Sequence, residues 1–110
     1  MPFDKIDIDS ITEERRKSVG KSIRPASVEE LRKLGDEVFH DLDDPWREEF
    51  FKFIEEHSDA TIYHAIASDG VHMLYCPDKD KGIWFLPGSG KGILSPTGRQ
   101  MMTEAIQGRS

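Results

Sequence analysis

Around Ala60 the apolar residues of this chain change their spacing, and that change limits the available folds more than any other feature. Before it, Val28, Leu31, Leu34, Val38, Phe39 and Leu42 recur at steps of three and four, the stripe of an amphipathic helix. Ser27-Val28-Glu29-Glu30 opens that stripe as a capping box. The serine hydroxyl and the glutamate carboxylate can each accept a backbone N–H left free near the helix start. Asp44 before Pro45 marks a second start, because proline has no N–H to lose and its φ already suits the first helical position. The helix behind it carries Trp46, Phe50, Phe53, Ile54 and His57 on one face, with Phe51 off the stripe. Only Asp43 and Asp44 separate the two helices, which predicts an αα-hairpin or a sharp corner.

After Ala60 the period is two. Thr61–Ala67 and Val71–Cys76 read as strands around Ser68-Asp69-Gly70, and Asp-Gly favours a type I′ turn, which needs positive φ at both central residues. With Asp69 and Gly70 in those positions, Ser68 pairs with Val71, Ile66 with Met73 and His64 with Tyr75. One face then holds Ile62, His64, Ile66, Val71, Met73 and Tyr75, and the other Tyr63, Ala65, Ala67, His72, Leu74 and Cys76. Pro77–Gly82 reads as a polar turn and Ile83–Leu86 as a third strand. Pro87–Gly92 interrupts the sheet, and Ile93-Leu94 can form a further short strand. Ser95-Pro96, or Thr97 with Gln100, starts a last helix bearing Met101, Met102, Ala105 and Ile106. The order predicts an α+β fold: an N-terminal helical hairpin packed on a small antiparallel three- to four-stranded meander, with a C-terminal helix.

Residues 1–25 have no comparable stripe. Ser10-Ile11-Thr12-Glu13 fits a capping box for a short helix through Lys17, but Ile11 and Val19 are thin anchorage, and Gly20 and Arg24-Pro25 punctuate the segment. The expected organisation is a flexible or partner-docked arm over 1–25 and a single α+β domain over 26–110. The chain's 110 residues leave no room for two cores, and ten aromatics enlarge the area that a lean 36% hydrophobic content can bury.

The net charge of −6 is uneven: residues 26–78 carry −10, residues 79–110 carry +3 and residues 1–25 carry +1. Overall acidity argues against nonspecific nucleic-acid binding and leaves at most a local basic site near the C-terminal end. No run approaches the roughly 18 apolar residues of a membrane span. The first ten residues lack the basic-then-apolar order of a signal peptide. One cysteine, Cys76, excludes an internal disulfide framework, so a reducing, cytoplasmic compartment is the expectation.

Each feature suggestive of chemistry meets a spacing test. Gly88-Ser89-Gly90-Lys91-Gly92 has the parts of an anion site: glycine amides, a lysine and a following helix. A phosphate loop, however, needs glycine where Phe85 stands and Ser or Thr where Gly92 stands, and a dinucleotide fingerprint needs glycine at Ile93. A looser anion site of Gly88, Ser89, Gly90, Lys91, Gly92 and Arg99 remains, against a plain glycine turn. In the register above Cys76 faces Tyr63, with His72 about 13 Å along the strand, so no nucleophile–base dyad forms. His40, His57, His64 and His72 lack metal-ligand spacing, and His64 with Tyr75 reads as a structural cross-strand pair. The acidic residues Asp41, Asp43, Asp44, Glu48, Glu49, Glu55 and Glu56 read as a solvated face without calcium-loop spacing. No metal or cofactor is expected.

Trp84 and Phe85 are neighbours in a strand and point to opposite faces. One can enter the core against the helices, and the other needs the arm, the last helix or another molecule as its cover. With helices on one side only, Tyr63, Leu74 and one of that pair would form an apolar far face. Tyr63, Leu74, Trp84 and Phe85 are therefore the expected interface residues. The reading that follows is a small noncatalytic interaction or regulatory domain, with homodimerisation through that face as one form. The second is a binder of, or enzyme acting on, a phosphorylated or acidic small molecule at Gly88–Gly92.

Overall fold

The structure, a computed structural model, describes residues 13–39, 45–86 and 90–108. Its elements in chain order are α1 (Glu13–Ser22), β1 (Arg24–Ala26), α2 (Val28–Val38), α3 (Pro45–Glu56), β2 (Ile62–Ile66), β3 (His72–Cys76), β4 (Lys81–Leu86), β5 (Gly90–Ile93) and α4 (Pro96–Gly108). The fold is α+β, with helices ahead of an antiparallel sheet and a helix behind it. The sheet has five strands rather than three or four, in the order β1-β2-β3-β4-β5. One addition is β1, at Arg24-Pro25, where the sequence suggested only punctuation; it pairs with β2 through Ala26↔Ile62. The short strand expected at Ile93-Leu94 is β5, which begins earlier, at Gly90, and takes in residues expected to form the glycine turn.

The predicted caps that fall on described residues hold. Ser27 Oγ accepts from Glu30 N–H at 3.1 Å and Glu30 Oε1 accepts from Ser27 N–H at 3.0 Å. Pro45 opens α3, and Ser95 Oγ accepts from Gly98 N–H at 3.1 Å ahead of Pro96, so Ser95 rather than Thr97 starts α4. The Ser10 box, Asp44, and the stretch 40–44 between α2 and α3 lie outside the described residues.

The hairpin register differs by one residue from the expectation. Ala67 N–H donates to Val71 O, closing a three-residue loop, and Gly70 alone has positive φ (89°) while Asp69 does not. A three-residue loop with glycine in the left-handed region is the next commonest hairpin connection after the two-residue turn. It pairs Ile66 with His72, Ala65 with Met73, His64 with Leu74 and Tyr63 with Tyr75. A one-residue slip exchanges the faces of one strand relative to the other. Tyr63, Ala65, Ala67, Val71, Met73 and Tyr75 therefore share one face, and Ile62, His64, His72, Leu74 and Cys76 the other.

Both faces are covered. Leu31 of α2 and Phe50, Phe53 and Ile54 of α3 pack on Ile62, Leu74, Cys76 and Phe85. On the opposite face, Val19 of α1, Ile23, and Met101 and Met102 of α4 pack on Ala65, Val71, Met73, Tyr75 and Leu94. The sheet is the middle of three layers, and the cover that its second face required comes from the arm residues Val19 and Ile23 and from the last helix, α4. The described part of the 1–25 arm is in place on the same domain. Val19 is fully buried, Ser22 Oγ accepts from Ile66 N–H (2.8 Å) and donates to Ile66 O (3.0 Å), and Arg15 pairs with Asp69. Gly20 lies inside α1 instead of ending it. On the other side α2 approaches α3 closely at Gly35, where a Cβ would sit 2.7 Å from Phe51 Cζ and 2.8 Å from Phe50 Cε2.

Candidate functional site

An apolar groove of about 320 Å³ lies between α3 and the β4–β5 edge. Its floor is Ile83, Phe85 and Ile93, and its wall is Trp46, Phe50 and Phe53. The floor exists because β4 and β5 alternate. Ile83 pairs with Ile93 and Phe85 with Lys91, so these four side chains share the α3 side of the sheet. Phe85 is fixed in a ring cluster with Phe39 and Phe50, at centroid distances of 5.4 and 5.3 Å. The rim is charged: Lys91 pairs with Glu49, and Lys52 and Glu56 continue it.

β5 is also an outer strand of the sheet. Leu94 N–H donates to Gly82 O at 3.0 Å, and alternation along an antiparallel ladder then turns the backbone groups of Gly92 and Gly90 towards β4. Those of Lys91 and Ile93 point outward, with no partner among the described residues. Ile93 is 78% exposed. The opposite outer strand, β1, has three residues with Pro25 at its centre, and proline donates nothing to an added strand. Among the described residues one edge is thus guarded and the other open. Beneath β5 the Trp84 indole lies against Gly92, where a Cβ would fall 2.6 Å from Nε1.

The structure separates the residues of the expected anion site. Gly88 and Ser89 lie outside the described residues, while Gly90, Lys91 and Gly92 form extended strand. Lys91 is turned to Glu49 on the α3 side; Arg99, on α4 across the sheet, pairs with Asp80 (3.2 Å) and donates to Leu94 O (2.8 Å). The expected interface residues divide as well. Leu74 and Phe85 are buried under α2 and α3, whereas Tyr63 and Trp84 are half-buried against the α1–α4 layer. None of the four forms an uncovered far face. The exposed large apolar side chains are instead Ile93 on the β5 edge and, to a lesser degree, Ile66 at the end of β2.

The one-residue slip also changes the histidine pairing. His64 does not meet Tyr75, whose hydroxyl instead donates to Asp80 at 2.8 Å. His64 Nε2 lies 3.0 Å from His72 Nδ1, and the His72 ring stacks on Phe85 at 4.8 Å. Burial holds the His64 pKa down at about 4, helped by the positive charge that His72 and Arg24 would place beside it; burial lowers that of His72 too. Both are neutral near pH 7, one donating and one accepting. Cys76 is fully buried, with Lys81 of β4 as its register partner. His57 sits at the end of α3 with Nδ1 2.8 Å from Phe53 O. Among the described residues no three His, Cys, Asp or Glu side chains gather as a metal site, and no helix is long and apolar enough to cross a membrane.

Fold and groove together define an α+β protein with, among the described residues, one open sheet edge beside an aromatic cleft. No family model, curated protein or solved structure matches this chain.

Proposed function

We propose that this protein is a small noncatalytic interaction domain that receives an extended segment of a protein along β5, with side chains of that segment entering the α3 groove. The observation that carries this reading is the outward backbone of Lys91 and Ile93 lying directly beside an apolar, aromatic-walled groove. Strand addition uses these two parts: main-chain hydrogen bonds supply affinity, and pockets for alternate side chains supply specificity. The ion pairs of Lys91 and Arg99 favour this over an anion site, since each cation already has a carboxylate partner. The single buried thiol of Cys76 accords with a reducing compartment such as the cytoplasm.

Panning the full chain against a random-peptide library tests the proposal. Selected peptides should carry apolar residues two apart. Their binding should weaken by about tenfold or more in Ile93→Pro, which removes an outward N–H, and in Trp46→Ala, which removes part of the wall. Near-UV circular dichroism checks that each variant remains folded. Selected peptides that bind both folded variants as well as the parent, or a library that yields no binder, would overturn it.

A further inference from the structure

The geometry points to β5 of a second copy as the strand that β5 receives, giving an isologous dimer about a two-fold axis at Gly92. This rests on the strand-addition reading above and names its occupant. An antiparallel pairing centred on Gly92 sets Lys91 opposite the partner's Ile93 and Ile93 opposite the partner's Lys91. These are the two residues whose backbone groups face outward, so each pair exchanges two N–H···O bonds and four form in all. The pair on the axis is then the non-hydrogen-bonded kind, with Cα atoms only about 4.5 Å apart. Both of its members are glycine.

Charge supports the same partner. α3 runs in the direction of β5. Glu49 pairs with Lys91 near the start of the strand, while Glu56, whose carbonyl accepts from Lys79 at 3.1 Å, lies at the β3–β4 turn end, where Ile93 pairs with Ile83. Reversing one copy brings each Lys91 to the Glu56 end of the other, between its own Glu49 and the partner's Glu56. A lysine on an edge strand ordinarily discourages pairing. Here its charge meets a carboxylate on each side of the axis. Along this rim each copy contributes Glu49, Lys52, Glu56 and Lys91, two charges of each sign. The methylene stem of Lys91 covers the partner's exposed Ile93.

Four-residue strands with one helix flank make a small contact, below the roughly 1,200 Å² at which stable interfaces begin, so the association expected is reversible and concentration-dependent. Sedimentation equilibrium of the full chain from about 1 μM to 1 mM spans the dissociation constants that such contacts reach. The result expected is a monomer–dimer equilibrium weakened by about tenfold or more in Ile93→Lys, which places like charges opposite each other on a solvent-exposed side chain. Ile93→Pro should weaken it similarly, and Glu56→Lys by several-fold, an effect that shrinks in high salt. A monomer throughout the range overturns the dimer. If the selected peptides still require an unblocked β5, strand addition stands without it. A dimer indifferent to all three variants places the contact elsewhere and also overturns the proposal.

Discussion

Two imidazole nitrogens 3.0 Å apart can hold one proton between them but not two, so the His64–His72 contact cannot survive protonation of both rings, and burial disfavours charging either one. His64 has a folded pKa of about 4, below the ordinary value of 6.5, and that of His72 is lowered as well. The unfolded chain therefore binds more protons than the folded one as pH falls below about 6.5. Stability contributed by the pair is complete above that pH and is lost progressively down to about 4, by about 3 kcal/mol for His64 alone. Other charges near His64 belong to Arg24 on β1 and to Glu30, Lys33 and Glu37 of α2, which line the polar pocket outside it. Carboxylates with lowered pKa, such as Glu30 and Asp59, act at lower pH. Urea titrations at pH 7 and pH 5 should show the parent losing more stability than His64→Gln, and an equal loss in both would contradict this account.

At the scale of elements, each helix layer holds a glycine in different surroundings, and substitutions separate them. Gly35 lets α2 lie against Phe50 and Phe51; Phe50 is itself locked between Phe39 and Phe85 and has nowhere to move. Gly35→Ala should destabilise by about 1–3 kcal/mol despite better helix propensity. Gly20 of α1 has nothing within 4 Å of a built Cβ. Gly20→Ala should therefore stabilise by about 0.5–1 kcal/mol, provided α1 unfolds with the rest. Denaturation midpoints of both variants test this. A neutral Gly20→Ala would mean that α1 melts separately, as the arm reading of residues 1–25 implies. Ser22 and Arg15 argue for common unfolding, since they tie α1 to Ile66 and Asp69.

For the whole molecule, the sheet separates two cores. Met73 and Leu74 are neighbours in β3, both fully buried, and point one into each. Met73→Ala and Leu74→Ala should each cost about 2–5 kcal/mol and lower one shared transition. Far-UV circular dichroism and tryptophan fluorescence, followed together, would expose a two-step unfolding that contradicts a single cooperative unit.

Three helices, three central strands and the capping box at Ser27 were legible in the sequence, because each rests on periodicity or a local hydrogen bond that neighbouring residues settle among themselves. The hairpin register was not. Alternation selects a register when one face is wet, but here α1–α4 and α2–α3 cover both faces, and apolar residues on either side suit either pairing. The same coverage hid the candidate site. Tyr63 and Trp84 lie on a face closed by Val19 and Ile23 of residues 13–23, too sparsely apolar to declare themselves, together with α4, while Leu74 and Phe85 lie under α2 and α3. Gly90-Lys91-Gly92 resembled a turn because glycine has weak strand propensity, and only the ladder to β4 makes it an edge. The sequence by itself determined α2, α3, α4 and the three central strands in their order, through contacts a few residues apart. Only the tertiary structure decided which strands flank the sheet, which faces are covered and which edge is open among the described residues, because these depend on residues far apart in the chain.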